Sequence, residues 1–469
     1  MLQILRLFIG IILMQYSILN AQELITYSVP GGFKYSSHND DYKVQVRSSD
    51  GDWRDLFEYE VEVDMDTHSK ASMVFFDFSG TVEVRVQKNN GEIYNAAIRP
   101  ASAGIKGEVD THSLQFYLNK PVKLSIEFNG DRLHNLHLFA NSIDPIKPDR
   151  SDPNLMYFGP GIHKPNDQPG DVYNIKSGTT VYVDGGAIIQ GKFLVSRAKN
   201  VKIIGRGIIM HPERGVEVRH SENVEIDGLT FINPKHYTIY GGESKGLSIS
   251  NIKSFSSQGW TDGIDLMSCS DVKITDVFLR NSDDCIAIYA HRWDFYGNAR
   301  NYEITNSILW ADVAHPTNIG THGNVGHSGD TIENIHFKNL DILEHDEDDP
   351  VYQGCLAIMG SDKNWIRNIV YEDIRVESVQ EGKLFNFQVV LNEDYSQAPG
   401  RSIENLTLKN ISYTGYQNLN PSIIKGFNSS AKINSITLDH IKIHDKVLRE
   451  LSTDWVEVGP FTSAITIKK

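Results

Sequence analysis

Residues 200–205 read NVKIIG, residues 223–228 read NVEIDG and residues 246–251 read GLSISN. In each phrase apolar and polar residues alternate, which is the period of a half-buried β-strand. Each phrase ends in Asn or Gly, residues that tolerate tight turns. The phrases begin 23 residues apart. A strand-rich repeat of this length predicts a solenoid in which each repeat forms one coil.

The same phrase returns six more times, with longer loops between the later copies. It reads DVKITD at 271, NYEITN at 301, NIHFKN at 334, NIVYED at 368, NLTLKN at 405 and SITLDH at 435. Leucine-rich repeats have a similar period, but the leucine consensus is missing here and β-branched residues dominate. The pattern therefore favours a right-handed parallel β-helix, whose coils stack about 4.8 Å apart.

The part of the chain before the repeats has a different pattern. Residues 22–150 contain short alternating runs such as SMVFFDF (72–78) and TVEVRVQ (81–87), separated by turn residues. This is typical of an antiparallel β-sandwich. The segment 141–154 carries three prolines and reads as a linker. We therefore predict an all-β protein with an N-terminal β-sandwich and a β-helix domain at 151–469.

The first 21 residues resemble a signal peptide. Arg6 supplies a positive charge, residues 7–14 are apolar, and Leu-Asn-Ala at 19–21 is a plausible cleavage site. The apolar run is too short to span a bilayer comfortably. A buried N-terminal strand is the alternative. We expect a secreted or periplasmic protein.

Composition excludes some classes of partner. The chain of 469 residues has a net charge of −15, which disfavours nucleic acids and anionic membranes. The three cysteines, Cys269, Cys285 and Cys355, are too few for a disulfide framework and lack zinc-site spacing. They are interpreted as small buried hydrophobic residues. We expect no metal, no cofactor and a monomer.

Two adjacent carboxylates raise a question about function. Residues 280–289 read RNSDDCIAIY, so Asp283 and Asp284 repel each other at the start of an apolar strand. Asp262 lies 21 residues earlier, about one short coil, which would place it on the neighbouring coil. Successive strand residues face opposite ways, so both adjacent carboxylates reach one cleft only if the pleat is broken. The preceding Asn-Ser suggests such a turn.

Three clustered carboxylates suit acid–base chemistry. Each shifts the pKa of the others, so one can stay protonated as an acid while another acts as a base. An inverting glycosidase uses such a set, with carboxyl groups roughly 6.5–9.5 Å apart and a water between them. His315 precedes the equivalent run on the next coil.

Three motifs carry a family resemblance: TDG at 261–263, DDCIAI at 283–288 and HPTNIGTHG at 315–323. Together they resemble the polygalacturonase family of glycoside hydrolases and its relatives, the dextranases and isopullulanases. The resemblance implies a right-handed parallel β-helix, and the dextranase side of the group adds an N-terminal β-sandwich.

The resemblance also implies roles for single residues. Asp283 would be the general acid, and Asp262 and Asp284 would hold and activate the water. His315 would tune the acid. The polygalacturonase pattern has Gly-His-Gly, whereas here Pro follows His315, and a second histidine, His322, offers an alternative.

A further departure concerns the substrate. Polygalacturonases carry an Arg-Ile-Lys stretch that holds the substrate carboxylate. The equivalent run here is interpreted as placing Leu356 and Ile358 at those positions, where no cation could pair a uronate. We therefore expect a neutral, dextran-like α-linked glycan as substrate, with pectin as the alternative.

Several other residues are candidates for contact with a sugar. Trp260 and Trp293 could form stacking platforms, and His291 lies in the same inserted loop as Trp293. His322 could touch the substrate. Asp265, in the run TDGIDLM, is interpreted as a turn-former.

Two other classes of function compete with a hydrolase. Many polysaccharide lyases are β-helices, but they need a cation to neutralise a uronate, and the equivalent run lacks basic residues. A non-catalytic glycan-binding or adhesive solenoid has no reason to keep three carboxylates together. The clustered carboxylates therefore favour a hydrolase.

Overall fold

The structure, a computed structural model, describes residues 22–165 and 170–469. The predicted signal peptide lies outside these residues. Within them the chain forms β-strands and one short 3-10 segment, Ala101–Ala103. No helix in this part of the chain is long and apolar enough to cross a membrane.

The N-terminal part contains eleven strands. They are β1 (Glu23–Ile25), β2 (Tyr42–Ser48), β3 (Arg54–Asp55), β4 (Tyr59–Val63), β5 (Ser69–Ser79), β6 (Val82–Lys88), β7 (Ala96–Arg99), β8 (Glu108–Val109), β9 (Ser113–Leu118), β10 (Val122–Phe128) and β11 (Asp131–Ser142).

These strands form two sheets that pack into a β-sandwich. One sheet has the order β1-β5-β11-β10-β7, with β4 also paired to β5, and the other has the order β3-β2-β6-β9-β8. The pairings are antiparallel except that of β5 with β11. Alternating apolar residues such as Val44, Val84 and Leu138 fill the space between the sheets. The structure thus confirms the predicted sandwich, with one parallel pairing added.

The solenoid contains the remaining strands. They are β12 (Leu155–Phe158), β13 (Gly161–His163), β14 (Val172–Ile175), β15 (Thr180–Val183), β16 (Ala187–Ile189), β17 (Lys192–Ser196), β18 (Lys199–Gly205), β19 (Ile208–Met210), β20 (Val216–Arg219), β21 (Glu222–Asp227), β22 (Thr230–Ile232), β23 (Ile239–Gly242), β24 (Lys245–Ser250), β25 (Lys253–Phe255), β26 (Ile264–Met267), β27 (Ser270–Thr275), β28 (Phe278–Ser282), β29 (Ile286–Tyr289), β30 (Ala299–Val313), β31 (Thr317–Gly320), β32 (Thr331–Glu344), β33 (Leu356–Gly360), β34 (Trp365–Val376), β35 (Phe385–Val389), β36 (Ser402–Tyr413), β37 (Ser422–Lys425), β38 (Lys432–Ile443), β39 (Lys446–Val447), β40 (Val456–Val458) and β41 (Thr462–Lys468).

Two long sheets build the parallel β-helix. The repeated phrases lie in a 19-stranded sheet, and the second run of each coil lies in an 11-stranded sheet of order β14-β17-β20-β23-β26-β29-β31-β33-β35-β37-β40. Equivalent residues of successive phrases pair directly, as Val201 does with Val224 and Val224 with Leu247. Their side chains point inward and stack into one continuous core. The predicted coil repeat is therefore confirmed.

The three cysteines, Cys269, Cys285 and Cys355, are buried and unpaired. All three belong to the core of the β-helix. This agrees with their interpretation as small hydrophobic residues.

The sandwich packs against the 19-stranded sheet. Phe139 of the sandwich meets Phe255 and Phe278 of the β-helix in a shared apolar cluster. Beside it, Arg280 makes two hydrogen bonds to Asp312, both fully buried. Phe278 and Arg280 belong to β28, the strand that leads into the carboxylate pair.

Candidate active site

The connection between β28 and β29 carries the adjacent carboxylates Asp283 and Asp284. The pairing of β28 with β30 shifts register between Asn281 and Ser282, which is a bulge. Asp283 has a φ of 143°, a conformation that residues with side chains rarely adopt. The break in the pleat lets both carboxyl groups face the same cavity, as the sequence predicted.

Asp262 reaches the same place from the turn before β26. Oxygen atoms of Asp262, Asp283 and Asp284 all lie within 4.8 Å of one another. The three side chains line a cavity of about 280 Å³. In the described ranges, no other three acidic, histidine or cysteine side chains converge in this way, and such a group could hold a cation as well as share protons.

Asp284 is held by donors on both carboxylate oxygens. Its Oδ1 accepts a hydrogen bond from the backbone N–H of His315 at 3.1 Å and contacts the Nδ1 of that ring at 2.7 Å. Its Oδ2 accepts a hydrogen bond from the side-chain amide of Asn318 at 2.7 Å. Because Asp284 is almost fully buried, these donors replace water. A carboxylate fixed in this way is suited to orient a water molecule.

His315 is a cation in this arrangement. Its Nδ1 faces Asp284, and its Nε2 lies 2.6 Å from the carbonyl oxygen of Tyr352. Both partners are acceptors, so both ring nitrogens carry a proton. Burial lowers the pKa of His315, but the charge and hydrogen bond of Asp284 outweigh it and raise the pKa to about 9. His315 therefore bonds to Asp284, and its charge also acts on Asp283, the acid that the resemblance assigned to it, by lowering the pKa of Asp283.

Asp283 has the properties of an acid. Its Oδ2 accepts a hydrogen bond from the backbone N–H of Trp260, and its Oδ1 from the backbone N–H of Asp284, both at 3.0 Å. Burial raises the pKa of Asp283, and the charge of Asp284 raises it further. A carboxyl group with a raised pKa can keep its proton until it is donated to a leaving group.

Asp265 is a fourth carboxyl group at the site. It lies inside β26 and is fully buried, so its interpretation as a turn-former is wrong. Among the described residues, its oxygens have no hydrogen-bond donor except the neighbouring carboxyl of Asp262. Burial raises the pKa of Asp262, and the charge of Asp265 raises it further. The two carboxyls can therefore share a proton.

Arg292 supplies a cation beside this pair. Its Nη1 lies 3.9 Å from Oδ2 of Asp265, and its side chain lines the cavity. The guanidinium lies 5.4 Å from the ring centre of Tyr237, 5.1 Å from that of Tyr289 and 5.7 Å from that of Trp293. Aromatic rings at these distances attract a cation. These three rings and Asp265 together fix the position of Arg292.

Two of the predicted sugar contacts border the cavity. His322 lines it and packs edge-on against Tyr289, with ring centres 5.1 Å apart. Burial lowers the pKa of His322 to about 3, and Arg292 contributes, so the ring is neutral. Trp260 also lines the cavity and is 63% exposed, which leaves its ring free at the mouth.

The other two predicted contacts lie in the loop after β29. Trp293 stacks on Tyr237 with ring centres 5.5 Å apart and is partly exposed. His291 contacts the carbonyl oxygen of Phe295 and stacks on Tyr296, so it braces the loop. His291 is not among the residues that line the cavity.

Comparison with known families decides the class of this protein. The family model described as "Glycosyl hydrolases family 28" matches residues 163–453, more than half of the chain. The chain belongs to family 28 of the glycosyl hydrolases. This membership agrees with the acid and the buried carboxylates just described.

Curated relatives of this glycosyl hydrolase include plant and fungal proteins. An exopolygalacturonase of Arabidopsis thaliana is 24% identical over 261 residues, which cover 50% of this chain and 56% of the relative. Endopolygalacturonase D of Aspergillus niger is 22% identical over 310 residues, covering 63% of this chain and 55% of the relative. The chain thus spans about half the length of the curated relatives it matches.

Among solved structures, Dex49A from Penicillium minioluteum has a TM-score of 0.69 with 15% sequence identity. The match covers 94% of this chain and 96% of that protein. The likeness shows that the fold is shared along nearly the whole chain, sandwich and β-helix together.

The run that replaces Arg-Ile-Lys in this family 28 hydrolase is shifted by one residue from its predicted alignment. Leu356 and Ile358 point into the core of the β-helix. Ala357 pairs with Asn318, and Met359 pairs with Gly320, so Ala357 and Met359 face outward. The prediction for Leu356 and Ile358 is wrong because a shift of one residue moves every side chain to the other face of a strand. However, Ala357 and Met359, the residues at the outward positions, also carry no charge.

Sequence reasoning gave no functional role to Asp265, Arg292, Asn318 and Tyr352. It also missed the lining residues Tyr237, Tyr289, Asp394 and Tyr395. Asn318 had a usable signal, since it lies three residues after His315 on the same predicted coil. Tyr352 and Arg292 lie in loops, whose path depends on contacts distant in sequence. The phenol of Tyr352 accepts a hydrogen bond from Asn318 at 3.0 Å, and so closes the group of side chains around Asp284.

Proposed function

We propose that this family 28 hydrolase cleaves a neutral, α-linked glycan with inversion of the anomeric centre. The observation that carries the proposal is the contrast between Asp283 and Asp284 within one cluster. Burial and the charge of its neighbour raise the pKa of Asp283, although both of its oxygens accept backbone hydrogen bonds, whereas Asp284 is paired with His315 and the amide of Asn318. The pair therefore divides into an acid and a charged carboxylate.

The proposed reaction adds one water molecule across the glycosidic bond. Asp283 donates its proton to the glycosidic oxygen as the bond between that oxygen and the anomeric carbon breaks. A water held by Asp262 and Asp284 attacks the anomeric carbon, and its proton passes to one of these carboxylates. Transfer of that proton back to Asp283 through solvent restores the enzyme. General acid catalysis of this kind contributes on the order of 10²–10⁴-fold.

Inversion is proposed from the way in which Asp284 is held. Oxygens of the three carboxyl groups lie within 4.8 Å of one another. This is closer to the about 5–5.5 Å of retaining pairs than to the about 6.5–9.5 Å of inverting pairs. However, both oxygens of Asp284 are occupied by donors, which makes it a poor nucleophile. Asp284 is better suited to fix a water beside Asp262.

A neutral substrate is proposed from the side chains that face outward after the catalytic coil. Ala357 and Met359 carry no charge, and the next strand presents Asn386 and Gln388 in the same rows. Arg292 is the cation of the cavity, and Asp265 already balances it. A uronate would therefore enter a site that offers it no unpaired cation, at a high desolvation cost. The net charge of −15 also repels polyanions.

A uronate-containing glycan is the second candidate. It is favoured by one feature of the cavity: Arg292 lines it. If a substrate carboxylate displaced Asp265 from this guanidinium, the site could accept an acidic sugar. The named activities of the curated relatives, which are polygalacturonases, point the same way.

The test is hydrolysis of a panel containing dextran, pullulan and polygalacturonate, with NMR of the first product formed. We expect reducing ends from a neutral α-glucan and an inverted anomeric configuration. A product of retained configuration would contradict the inverting mechanism. Cleavage of polygalacturonate alone would replace the neutral substrate by the second candidate. An unsaturated product would indicate a lyase.

We propose further that the protein acts as a monomer outside the cytoplasm. Export is proposed from the apolar run at residues 7–14 and the small-residue site before residue 22. Cell fractionation and N-terminal sequencing of the mature protein would test it. A mature protein that retained residues 1–21 in the cytoplasm would contradict it.

A further inference from the structure

The outward-facing residues of the 11-stranded sheet form a row along the axis of the β-helix. Successive strands from β20 to β35 contribute paired residues to this row: Glu217, Tyr240, Asp265, Ala287, Asn318, Ala357 and Asn386. A glycan bound along the sheet would lie on this row. All of its members are at most 1% exposed, so other parts of the chain cover it.

The loop 290–298 covers the row on the N-terminal side of the carboxylates. Trp293 stacks on Tyr237, and Phe295 packs into an apolar cluster with Tyr240. The backbone N–H of Tyr296 donates a hydrogen bond to a carboxylate oxygen of Glu243 at 2.7 Å. The loop is therefore fastened to the coil below the carboxylates and closes the path in that direction.

The segment 345–355 covers the row on the C-terminal side. The side-chain amide of Asn386 donates hydrogen bonds to the carbonyl oxygens of Val351 at 3.0 Å and Gln353 at 2.6 Å. Tyr352 lies over Asn318, and Tyr395 from the loop 390–401 stacks on Tyr352 with ring centres 5.1 Å apart. This side is closed by two layers of chain.

The cavity that remains between these walls is small. Its volume of about 280 Å³ lies below the about 300–1,000 Å³ of typical small-molecule sites. Exposed aromatic rings stand at its edge, since Trp260 is 63% and Tyr395 is 46% exposed. A glycan cut in its middle must continue on both sides of the cleaved bond, which requires a groove open at both ends. This site has walls at both ends.

We propose that this hydrolase acts on chain ends and removes a short terminal unit, because the loop 290–298 and the segment 345–355 close the cleft on both sides of the carboxylates. This inference rests on the proposed hydrolysis of a glycan. The terminal unit enters the cavity, and the rest of the chain leaves across the exposed rings of Trp260 and Tyr395. Stacking of sugar faces on such rings would hold the departing chain.

The experiment follows the size of the products in the first few per cent of hydrolysis, using dextran, pullulan and polygalacturonate as probes. For the polysaccharide that is cut, we expect one short product from the start, and solution viscosity that falls slowly as reducing ends accumulate. A ladder of oligomers from the first time point, with a steep loss of viscosity, would overturn the chain-end inference but leave the hydrolase intact. Release of no sugar from any probe would overturn the proposed function itself.

A loop variant tests the cause. Replacing residues 293–297 by Gly-Ser-Gly removes the N-terminal wall, and we expect a mixture of oligomers in place of the single short product. The control places Gly-Ser-Gly at residues 416–418, a loop that does not line the cavity, and should leave the product pattern unchanged. A 293–297 variant that cuts as fast and still gives only the short product would overturn the role of this wall. If the variant does not fold, the product pattern of the wild-type protein remains decisive.

Discussion

Asp284 and Asp265 are both buried acidic residues of the same site, yet they are held in opposite ways. Asp284 meets His315 and Asn318, which place donors on both of its oxygens. Asp265 meets the carboxyl of Asp262, and its nearest cation, Arg292, is 3.9 Å away. We call the first group, Asp284 with His315 and Asn318, the bonded side, and the second, Asp262 with Asp265 and Arg292, the unbonded side.

The difference shows how one cluster can contain several protonation states. Donors compensate a buried charge on the bonded side, so that charge can persist without water. On the unbonded side burial raises the pKa of Asp262 and of Asp265. Arg292 lowers both, and the hydrogen bond with Asp262 also lowers the pKa of Asp265. The unbonded side can therefore take up and release protons during turnover, whereas the bonded side keeps its geometry. Asp283 lies between them as the acid.

The largest effect should come from removing the acid between the two sides. We expect Asp283→Asn to lower kcat by at least about 10²–10⁴-fold, because the amide has nearly the same size but no proton to donate. Steady-state kinetics on the polysaccharide that the wild type cuts measure it. The control is Asp271→Asn, the same change at an exposed residue on the other sheet. Near-normal turnover of Asp283→Asn would refute its assignment as acid.

The next effect should come from breaking the bonded side. His315→Ala leaves the charge of Asp284 buried without its main partner, and loss of one partner of a buried pair costs about 3–5 kcal/mol. We expect the free energy of unfolding to fall by that order and kcat to fall with it. Urea denaturation measures the first quantity. Unchanged stability at pH 6 would show that the bonded side does not depend on His315.

The same pair gives the wild type a dependence on pH. The pKa of His315 is about 9 in the folded protein, against about 6.5 in the unfolded chain. A raised pKa contributes stability that is fully present below the unfolded value and is lost as pH rises through the folded value. We expect this contribution to decline between about pH 6.5 and 9, and the decline to be absent in His315→Ala.

His345 provides the matched control for this pH dependence. It is fully buried near His315, and burial together with the charge of His315 lowers its pKa to about 3. His345→Ala removes a ring of the same size that is neutral throughout this range. It should lower stability by a similar amount at every pH from about 7.5 to 9, where His345 is neutral in the unfolded chain as well. Equal pH dependence in both variants would contradict the role of the His315 charge.

Two changes on the unbonded side should move the pH profile in opposite directions. The charge of Asp265 raises the pKa of Asp262, and Arg292 lowers it. Asp265→Asn should therefore shift the acidic limb of the kcat profile to lower pH, and Arg292→Met should shift it to higher pH. Asp262 must be ionised to accept the proton of the water, so the acidic limb of the profile moves in the same direction as the pKa of Asp262. Shifts in the same direction would show that Asp265 and Arg292 do not control the pKa of the base, Asp262.

His322→Ala separates substrate contact from proton control. The ring is neutral and borders the cavity, so its loss should raise KM while the pH profile keeps its position. A shifted profile in this variant would place His322 among the proton-transfer groups. It would also weaken the distinction between the two sides.

The sequence predicted the bonded side better than the unbonded side, for a physical reason. Asp283, Asp284 and His315 lie at the start of strands that follow a regular coil repeat, so their convergence follows from the period. Arg292 reaches the site through a loop that is fastened by distant aromatic contacts, and no local pattern encodes that path. The cation nearest to Asp265, Arg292, comes from this loop. The local sequence gave no sign of it, and Asp265 was interpreted as a turn residue.

The run 356–359 shows a second reason why the sequence did not predict part of the site. Its sequence is Leu-Ala-Ile-Met, so both faces of the strand are apolar and alternation cannot tell which face is the core. From β20 to β35 the 11-stranded sheet has this character because other parts of the chain cover its outer row as completely as the core covers its inner row. By contrast, the repeated phrases of the 19-stranded sheet alternate clearly, and their pairing was predicted correctly.

The smallest effect should come from the contact between the N-terminal sandwich and the acid. The backbone N–H of Met65, in the turn between β4 and β5, donates a hydrogen bond to Oγ of Ser282 at 2.9 Å. Ser282 directly precedes Asp283 at the bulge, so the sandwich helps to position the acid. Removing such a bond costs about 0.5–1.5 kcal/mol. If the transition state loses this much stabilisation, Ser282→Ala should lower kcat by up to about tenfold with little change in KM.

A double-mutant cycle separates this contact from a general loss of stability. Met65→Pro removes the N–H that donates a hydrogen bond to Oγ of Ser282, whereas Met65→Leu keeps this N–H and serves as the matched control. Asp64, with a φ of 58°, is strained by a following proline, so Met65→Pro alone should cost more stability than Ser282→Ala. The informative quantity is the coupling in kcat. If the hydrogen bond positions Asp283, the double variant should turn over about as fast as the slower single variant, since the same bond cannot be lost twice. Effects on kcat that multiply would show that the sandwich stabilises the β-helix without orienting its acid, and the difference between the bonded and unbonded sides would then arise within the β-helix alone.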